Sequence, residues 1–236
     1  MDELKKLISE GLEKACKEDQ IVKILQQIGA KLINEYIIKI KDITIEPLWV
    51  EAYYYNKNYF PDCNTHLNDL QKERFGQIYI HRKGHGGFDI CLSTSKDYYL
   101  SFLLKATLIN GKFYTQTGIR SLLTEKEWEK SEVENAKNIL FKRESILNYD
   151  VRFANRVGIT KSCYRDEALA AFPMDVLNNG CFDFRFARKS LTPLAVDTIK
   201  DYKEATGQTQ KECIKKCQDL FGWVPDDVRR IFEKEK

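Results

Sequence analysis

Residues 43–55, ITIEPLWVEAYYY, mark the point at which the sequence changes from a helical to a strand-like pattern. They are rich in β-branched and aromatic residues, which favour strands. Three later segments share this composition: QIYIHR (77–82), FDICLS (88–93) and SFLLKATLI (101–109). Glycines at 84, 86 and 87 lie between the first two and indicate a tight turn. The middle third of the chain therefore predicts an antiparallel sheet that includes a hairpin.

Helical patterns lie on both sides of this strand-rich region. Over residues 1–40, apolar residues such as Leu4, Ile8 and Leu12 recur every three or four positions. After Gly118 we predict helices in TEKEWEKSEVENAKNILF (124–141), VRFANRVGI (151–159), RDEALAAF (165–172) and the charged tail from Pro193. Since no repeat or linker interrupts the chain, we expect one α+β domain: N-terminal helices over 1–40, a core over 41–190 and a helical C-terminal extension over 191–236.

The composition favours a folded cytoplasmic protein. The chain has 236 residues, 43% of them hydrophobic, which is enough for a core. No apolar run approaches the roughly 18 residues of a membrane span, and the amino terminus lacks the apolar core of a signal peptide. We therefore expect no membrane partner. The seven cysteines have no CxxC spacing, so reduced thiols and no metal site are expected.

The positive charge of the chain is concentrated in one segment. The formal net charge is +3. Between residues 142 and 165, six basic residues stand against two acidic ones, Glu144 and Asp150, which gives an excess of +4. Such a segment can neutralise phosphates, although a solvated surface explains it equally well. We call it the basic strip: Lys142, Arg143, Arg152, Arg156, Lys161 and Arg165.

The densest group of reactive and aromatic residues is WVEAYYYNKNYFPDCNTHLND (49–69). Glu51 follows three apolar residues, so it could lie beside the core and activate water. Equally, it could be the solvent-facing residue of an alternating strand. The aromatic residues after it could stack on bases, although strand aromatics are more often core. His66 could carry a proton or make a structural hydrogen bond. His81 and His85 lack metal-ligand spacing.

A series of short motifs runs through this region. The first strand ends in Glu51-Ala52-Tyr53, and Asp62 is followed four residues later by His66. These motifs resemble those of the alkyladenine (3-methyladenine) DNA glycosylases, here in a divergent bacterial form. The resemblance implies the fold of the FMT C-terminal domain, with a partly curled antiparallel sheet flanked by helices.

Further motifs extend the resemblance over residues 40–190. Tyr79 lies three residues after a glycine, with His81 at the place of a second tyrosine in the family. Asp89 stands at the place of an asparagine, and Lys105, in LLKA, at the place of an arginine. FANRVGITKS followed by DEALA resembles the family's helix and Gly-Ile turn.

The resemblance implies a role for each residue. Glu51 would activate the water that attacks the sugar carbon, and Lys105 would support that water or bind phosphate. Tyr53 and His81 would sandwich an extruded base, and His66 would contact its edge. The other implied contacts are Tyr79 and Asp89 to the base, and Arg82, Lys83, Arg152, Arg156 and Lys161 to the nucleic-acid backbone. No cofactor is implied, and the partner would be DNA, also single-stranded, or RNA, bound by a monomer.

Departures from the family leave three functions open. The hairpin RKGHGG (82–87) lacks the aromatic residue that the family inserts into DNA, and Lys105 lacks the planar fork of arginine. The leading hypothesis is a glycosylase that hydrolyses the N-glycosidic bond of an alkylated purine in base-excision repair. A catalytically inactive nucleic-acid-binding module would have Glu51 in a structural ion pair and an exposed basic strip. An enzyme acting on a small base-containing ligand would have a site too closed for a polymer.

Overall fold

The computed structural model describes residues 2–81, 87–116, 122, 126, 128–154, 156, 168–173, 184–221 and 224–232. The chain divides into two compact units, residues 1–173 and 174–236. The expectation of one domain over residues 1–236 stays a prediction.

The first unit has a mixed α+β architecture with a curled antiparallel sheet, as the sequence predicts. The described residues form ten strands in this sheet. They are β1 (Tyr36–Ile40), β2 (Ile43–Asn56), β3 (Phe60–Pro61), β4 (Gln77–Ile80), β5 (Phe88–Cys91), β6 (Tyr99–Ile109), β7 (Lys112–Thr115), β8 (Leu140–Lys142), β9 (Val151–Ala154) and β10 (Ala170–Pro173). The helices among its described residues are α1 (Asp2–Lys14), α2 (Glu18–Glu35), α3 (Leu70–Glu73) and α4 (Lys130–Asn135).

Strand β2 lies in the middle of the sheet. Along one edge it pairs with β6, and the sheet continues through β5 to β4, where the predicted hairpin is confirmed. Its other edge is shared among three strands, since β1 pairs with residues 43–45, β10 with Val50 and Glu51, and β3 with Tyr55 and Asn56. Glu51 is therefore enclosed between β6 and β10.

One face of this sheet is apolar and packs against α2. In-register neighbours on adjacent strands point to the same face, and Val50, Phe102 and Ala171 share this one, each at most 3% exposed. Helix α2 approaches closely at Gly29. A Cβ added at Gly29 would lie 3.1 Å from Cβ of Ala171 and 3.4 Å from Cε1 of Phe102. A larger side chain there would push the helix away from the sheet.

The opposite face of the same strands is polar. Side chains alternate between the two faces along a strand, so Glu51 and Tyr53 point away from α2. The register places Leu103 between Glu51 and Asp89, and Ser101 opposite Tyr53. Strand alternation thus gathers the reactive residues of three neighbouring strands on one face.

Several predicted helices are wrong. Helix α2 ends at Glu35, and residues 36–40 form β1. The predicted helix over 124–141 is much shorter: among the described residues of this segment, α4 is helical, and the segment ends in β8. The segments predicted as helices at 151–159 and 165–172 instead contain β9 and β10. β10 pairs with both β2 and β9, and this pairing outweighs the local helical preference of its alanines.

The second unit is helical in its described part. Its helices are α5 (Phe184–Thr206), α6 (Gln210–Phe221) and α7 (Asp226–Arg230). Ile199, Cys213 and Cys217 are buried, as the amphipathic pattern of the tail predicts. Burial raises the pKa of Cys217 to about 11, so this thiol stays neutral at physiological pH. Across the described residues of both units, no helix has the length and apolar character needed to cross a membrane.

Candidate functional site

Glu51 is a buried carboxylate that accepts hydrogen bonds from two donors among the described residues, Lys105 and Tyr53. Its exposed fraction is 0%, and it pairs with Leu103 on β6 and Ala170 on β10. The Nζ atom of Lys105 lies 3.3 Å from Oε2 of Glu51, and the hydroxyl of Tyr53 donates to the same oxygen at 3.2 Å. Of the two readings that the sequence allows, the solvent-facing one is therefore wrong. Lys105, on β6, is itself 8% exposed.

The Tyr53 phenol is protonated and so can donate a hydrogen bond. Burial, and next the negative charge of Glu51, raise the pKa of the Tyr53 phenol well above its usual value. The phenol therefore keeps its proton at neutral pH and can donate to the carboxylate. On the face of its ring lies Arg156, whose guanidinium carbon is 4.7 Å from the ring centroid.

Arg156 and Asp62 form a second buried ion pair beside Tyr53. Nη1 of Arg156 donates to Oδ2 of Asp62 at 2.6 Å and to the carbonyl of Ala52 at 3.2 Å. Asp62 is 0% exposed and also accepts from the backbone N–H of Asn64 at 3.0 Å. This pair fastens the loop after β3 to the polar face of β2.

Asp89 is the centre of a neighbouring buried network. Oδ1 of Asp89 lies 2.8 Å from Nε2 of His81, and Oδ2 accepts from the Ser101 hydroxyl at 2.7 Å. Gln71 Nε2 contacts Oδ2 at 3.4 Å and donates to Ser101 Oγ at 2.8 Å. The backbone of Gly87 closes over His81, because a Cβ added there would lie 2.5 Å from the ring. The network fixes both the position and the orientation of the His81 ring.

An aromatic group extends this network toward solvent. The ring of His66, an exposed residue, lies 4.3 Å from His81 between centroids, with an interplanar angle of 48°. Tyr79 lies 5.2 Å from His81 and 6.3 Å from His66. Three of the four predicted base-binding rings, those of His66, Tyr79 and His81, therefore form one group, whereas the fourth, Tyr53, packs against Arg156. The base sandwich of Tyr53 and His81 stays a prediction.

The two clusters lie next to each other on the sheet. Leu103 is the in-register partner of both Asp89 and Glu51, so these carboxylates are separated by two strand spacings, about 10 Å between Cα atoms. Ser101 bonds to Asp89 and lies opposite Tyr53. The spacing matches the length of a nucleoside, with the aromatic group at one end and Glu51 with Lys105 at the other.

The described cations of the basic strip are ion-paired. Each of its described cations has a carboxylate partner: Lys142 with Glu3 at 2.8 Å, Arg143 with Glu46 at 2.7 Å, Arg152 with Asp150 at 2.6 Å and Arg156 with Asp62 at 2.6 Å. Arg156 is buried, so it belongs to the site near Glu51 and not to an exposed strip. The predicted backbone contacts Arg82, Lys83 and Lys161, together with Arg165 and His85, lie outside the described residues.

The cysteine prediction needs a correction at one position. Cys63 is disulfide-bonded, whereas reduced thiols were expected. Cys16, Cys91 and Cys213 are free thiols, and Cys217 is not disulfide-bonded. Within the described residues, no group of three or more His, Cys, Asp or Glu side chains could hold a metal ion.

Sequence reasoning missed Gln71 and Ser101, and it placed Arg156 on the wrong kind of surface. Ser101 could have been found, because it lies two and four residues before Leu103 and Lys105 on one strand and so shares their face. Gln71 comes from a loop helix, and no local pattern links it to Asp89. The pairing of Arg156 with Asp62 joins residues 94 positions apart, which charge counting cannot detect.

No protein-family model matches the chain, and no curated protein matches its sequence. The resemblance to the alkyladenine glycosylases, and to the fold of the FMT C-terminal domain, therefore stays a prediction from short motifs.

Proposed function

We propose that this protein hydrolyses the N-glycosidic bond between a purine base and its sugar, as the leading reading of the motifs implies. A water oxygen forms a bond to C1′ of the sugar while the bond from C1′ to the base nitrogen breaks. The water gives its proton to the Glu51 carboxylate. The base leaves with the bonding electron pair and takes up a proton.

One observation carries this proposal. Glu51 is fully buried, yet it is bonded by Lys105 and Tyr53 and shares its sheet face with the His66, Tyr79 and His81 rings. A general base needs a fixed carboxylate beside the reacting carbon, and a base-binding site needs flat rings at nucleoside distance from it. Both requirements are present on one face.

Lys105 and Tyr53 have complementary roles in this mechanism. Both bond to the same oxygen of Glu51 and so hold the carboxylate in one orientation. The ammonium group of Lys105 also offsets part of the cost of burying the negative charge. Oδ1 of Asp89 lies 2.8 Å from Nε2 of His81 and fixes the orientation of its ring. The rings of His81 and His66 would contact the base.

A test of the proposal measures free base after incubation with alkylated duplex DNA, the matching single strand and the corresponding mononucleotide. Glu51→Gln should lower the rate by about 10²- to 10⁴-fold, the usual contribution of a general base. Glu46→Gln is the matched control, because Glu46 lies on the same strand, is also ion-paired, to Arg143, and is remote from the aromatic group. If wild type releases no base from any of the three, or if both variants lose activity equally, the proposal fails.

A second candidate is an enzyme of the same chemistry that acts on a small base-containing ligand. Glu51, Asp62, Asp89, Lys105 and Arg156 are each at most 8% exposed. In addition, the described cations of the basic strip are paired with carboxylates. An enclosed site, together with a basic strip whose described cations are ion-paired, favours a ligand of nucleotide size over a long duplex. Release of base from the mononucleotide alone would support this candidate.

The catalytically inactive binding module predicts a different result. The ion pair of Glu51 with Lys105 is common to both readings. Binding of a base-containing ligand without any release of base, and with equal affinity in wild type and Glu51→Gln, would replace the proposed hydrolase with this module.

A further inference from the structure

Arg156 presents two buried donors beside the Glu51 site. Its Nη1 atom is occupied by Asp62 and by the carbonyl of Ala52. Its Nε and Nη2 atoms are buried and have no hydrogen-bond partner in the part of the chain that the structure describes. These two atoms form the side edge of the guanidinium plane. That edge binds carboxylate and phosphate groups through two parallel hydrogen bonds.

An unpaired buried donor is unfavourable, so native proteins retain one where a ligand satisfies it or where strain is tolerated. The chain offers an internal comparison at Arg143. Its Nε and Nη2 are also unpaired among the described residues, and its Nη1 donates to Glu46. An open edge alone therefore does not mark a site.

The surroundings separate the two arginines. Arg156 lies on the ring of Tyr53 at 4.7 Å, and the Tyr53 hydroxyl bonds to Glu51. The open edge of Arg156 is thus one aromatic ring away from the proposed catalytic carboxylate. Arg143 follows β8, which pairs with β1 at the far edge of the sheet. Of these two arginines, Arg156 is the one whose bound anion would lie next to the reacting groups.

The arrangement of charges around Glu51 is compatible with a bound anion. Lys105 forms an ion pair with Glu51, and Arg156 uses one of its nitrogens, Nη1, to bind Asp62. A guanidinium group stays protonated in proteins and can serve one carboxylate with Nη1 and a second anion with its side edge. For a ligand that places its base near His81 and its C1′ near Glu51, the nearest anionic group is the sugar phosphate.

We propose that the side edge of Arg156 binds the phosphate of the substrate, so that the protein acts on a base carried by a nucleotide and not on a nucleoside. The assignment of a substrate rests on the proposed hydrolase function, whereas phosphate binding by Arg156 does not. The recognised chemistry is a phosphate ester on a purine nucleoside. It can come from a free mononucleotide or from a position within a strand.

The test measures affinity by calorimetry in the Glu51→Gln background, which prevents turnover. The ligands are adenosine, adenosine 5′-monophosphate, inorganic phosphate and an adenine-containing oligonucleotide. The monophosphate or the oligonucleotide should bind about tenfold or more tightly than adenosine, a difference of about 1.4 kcal/mol. Arg156→Lys should remove this preference because lysine lacks the fork, while the matched control Arg143→Lys should keep it. The better of the two phosphate esters identifies the source.

A second measurement holds even if Arg156→Lys fails to fold. The Nε–H signal of Arg156 in the nitrogen-15 spectrum can be assigned through the proximity of its guanidinium group to the Tyr53 ring, 4.7 Å from the guanidinium carbon to the ring centroid. This signal should shift with inorganic phosphate and with the monophosphate, and not with adenosine. Equal affinity for adenosine and both phosphate esters, or an Nε–H signal unmoved by phosphate, overturns the inference.

The failures of the two proposals are distinguishable. Arg156-dependent phosphate binding without base release removes the hydrolase and leaves the phosphate site. Base release from nucleoside and nucleotide at equal rates removes the phosphate site and leaves the hydrolase.

Discussion

Replacing Lys105 by methionine should destabilise the protein strongly, because it leaves Glu51 charged and buried. The two side chains are 9% and 0% exposed, and Nζ lies 3.3 Å from Oε2. At this distance and an effective dielectric constant of about 20, their Coulomb attraction is about 5 kcal/mol. Desolvation offsets much of that attraction in the intact pair, but removing one partner of a buried pair costs about 3–5 kcal/mol.

The expected loss is large compared with the whole stability of a domain, about 5–15 kcal/mol. The Tyr53 hydroxyl still donates to Glu51, so we place the loss at the lower end, about 3 kcal/mol. The double variant Lys105→Met/Glu51→Gln removes the buried charge as well and should recover about 2 kcal/mol of the free energy of unfolding.

The assay is urea denaturation of wild type, both single variants and the double variant, with Lys126→Met as control. Lys126 forms a shorter ion pair, 2.8 Å to Asp42, but at an exposed position, where such pairs contribute little. If the burial of the ion pair determines the size of the loss, Lys126→Met hardly changes the free energy of unfolding. Equal losses for Lys105→Met and Lys126→Met would refute the reasoning.

Three further changes test other parts of the structure. Phe102→Ala should lower the free energy of unfolding by about 3–5 kcal/mol in urea denaturation, because it leaves a cavity beneath α2; a loss below about 1 kcal/mol would contradict this packing. Gly87→Ala should displace the ring of His81, which nuclear magnetic resonance would detect as a changed imidazole environment, whereas Gly111→Ala should leave it unchanged because nothing lies within 4 Å of the added Cβ. Burial raises the pKa of Tyr53 in the folded state. The stabilisation of the folded state by the protonated phenol is therefore present below the ordinary tyrosine pKa of about 10 and is lost as the pH rises above it. Wild type should therefore lose stability as the pH rises above about 10, and Tyr53→Phe should lose less; parallel losses would contradict the assignment.

The sheet and its reactive face were predictable because they follow from period-2 patterns. The alternation from Val50 to Tyr53 places Glu51 and Tyr53 on one face, and the glycines at 84–87 indicate the β4–β5 hairpin. The segments that form β9 and β10 were predicted as helices, since four-residue strands give too short a pattern to outweigh alanine.

The site was predictable as a set of residues but not as a geometry. Glu51 follows from its place after an apolar run, and His81, Asp89 and Lys105 follow from the resemblance to the glycosylases, whereas the burial of Glu51 depends on β10 closing its second edge. Charge counting placed Arg156 on an exposed strip, because a sum over neighbours in sequence ignores a carboxylate 94 residues away.

The configuration at C1′ of the product tests the central claim most directly, namely that Glu51 activates a water molecule. In buffer containing methanol, the alcohol competes with water and leaves a stable methyl glycoside on the sugar. Attack by an activated solvent molecule inverts the configuration at C1′, whereas a covalent intermediate on the carboxylate retains it. We predict an inverted methyl glycoside from wild type and about 10²- to 10⁴-fold slower formation of it by Glu51→Gln. A retained product, or undiminished formation by Glu51→Gln, would contradict the role assigned to Glu51.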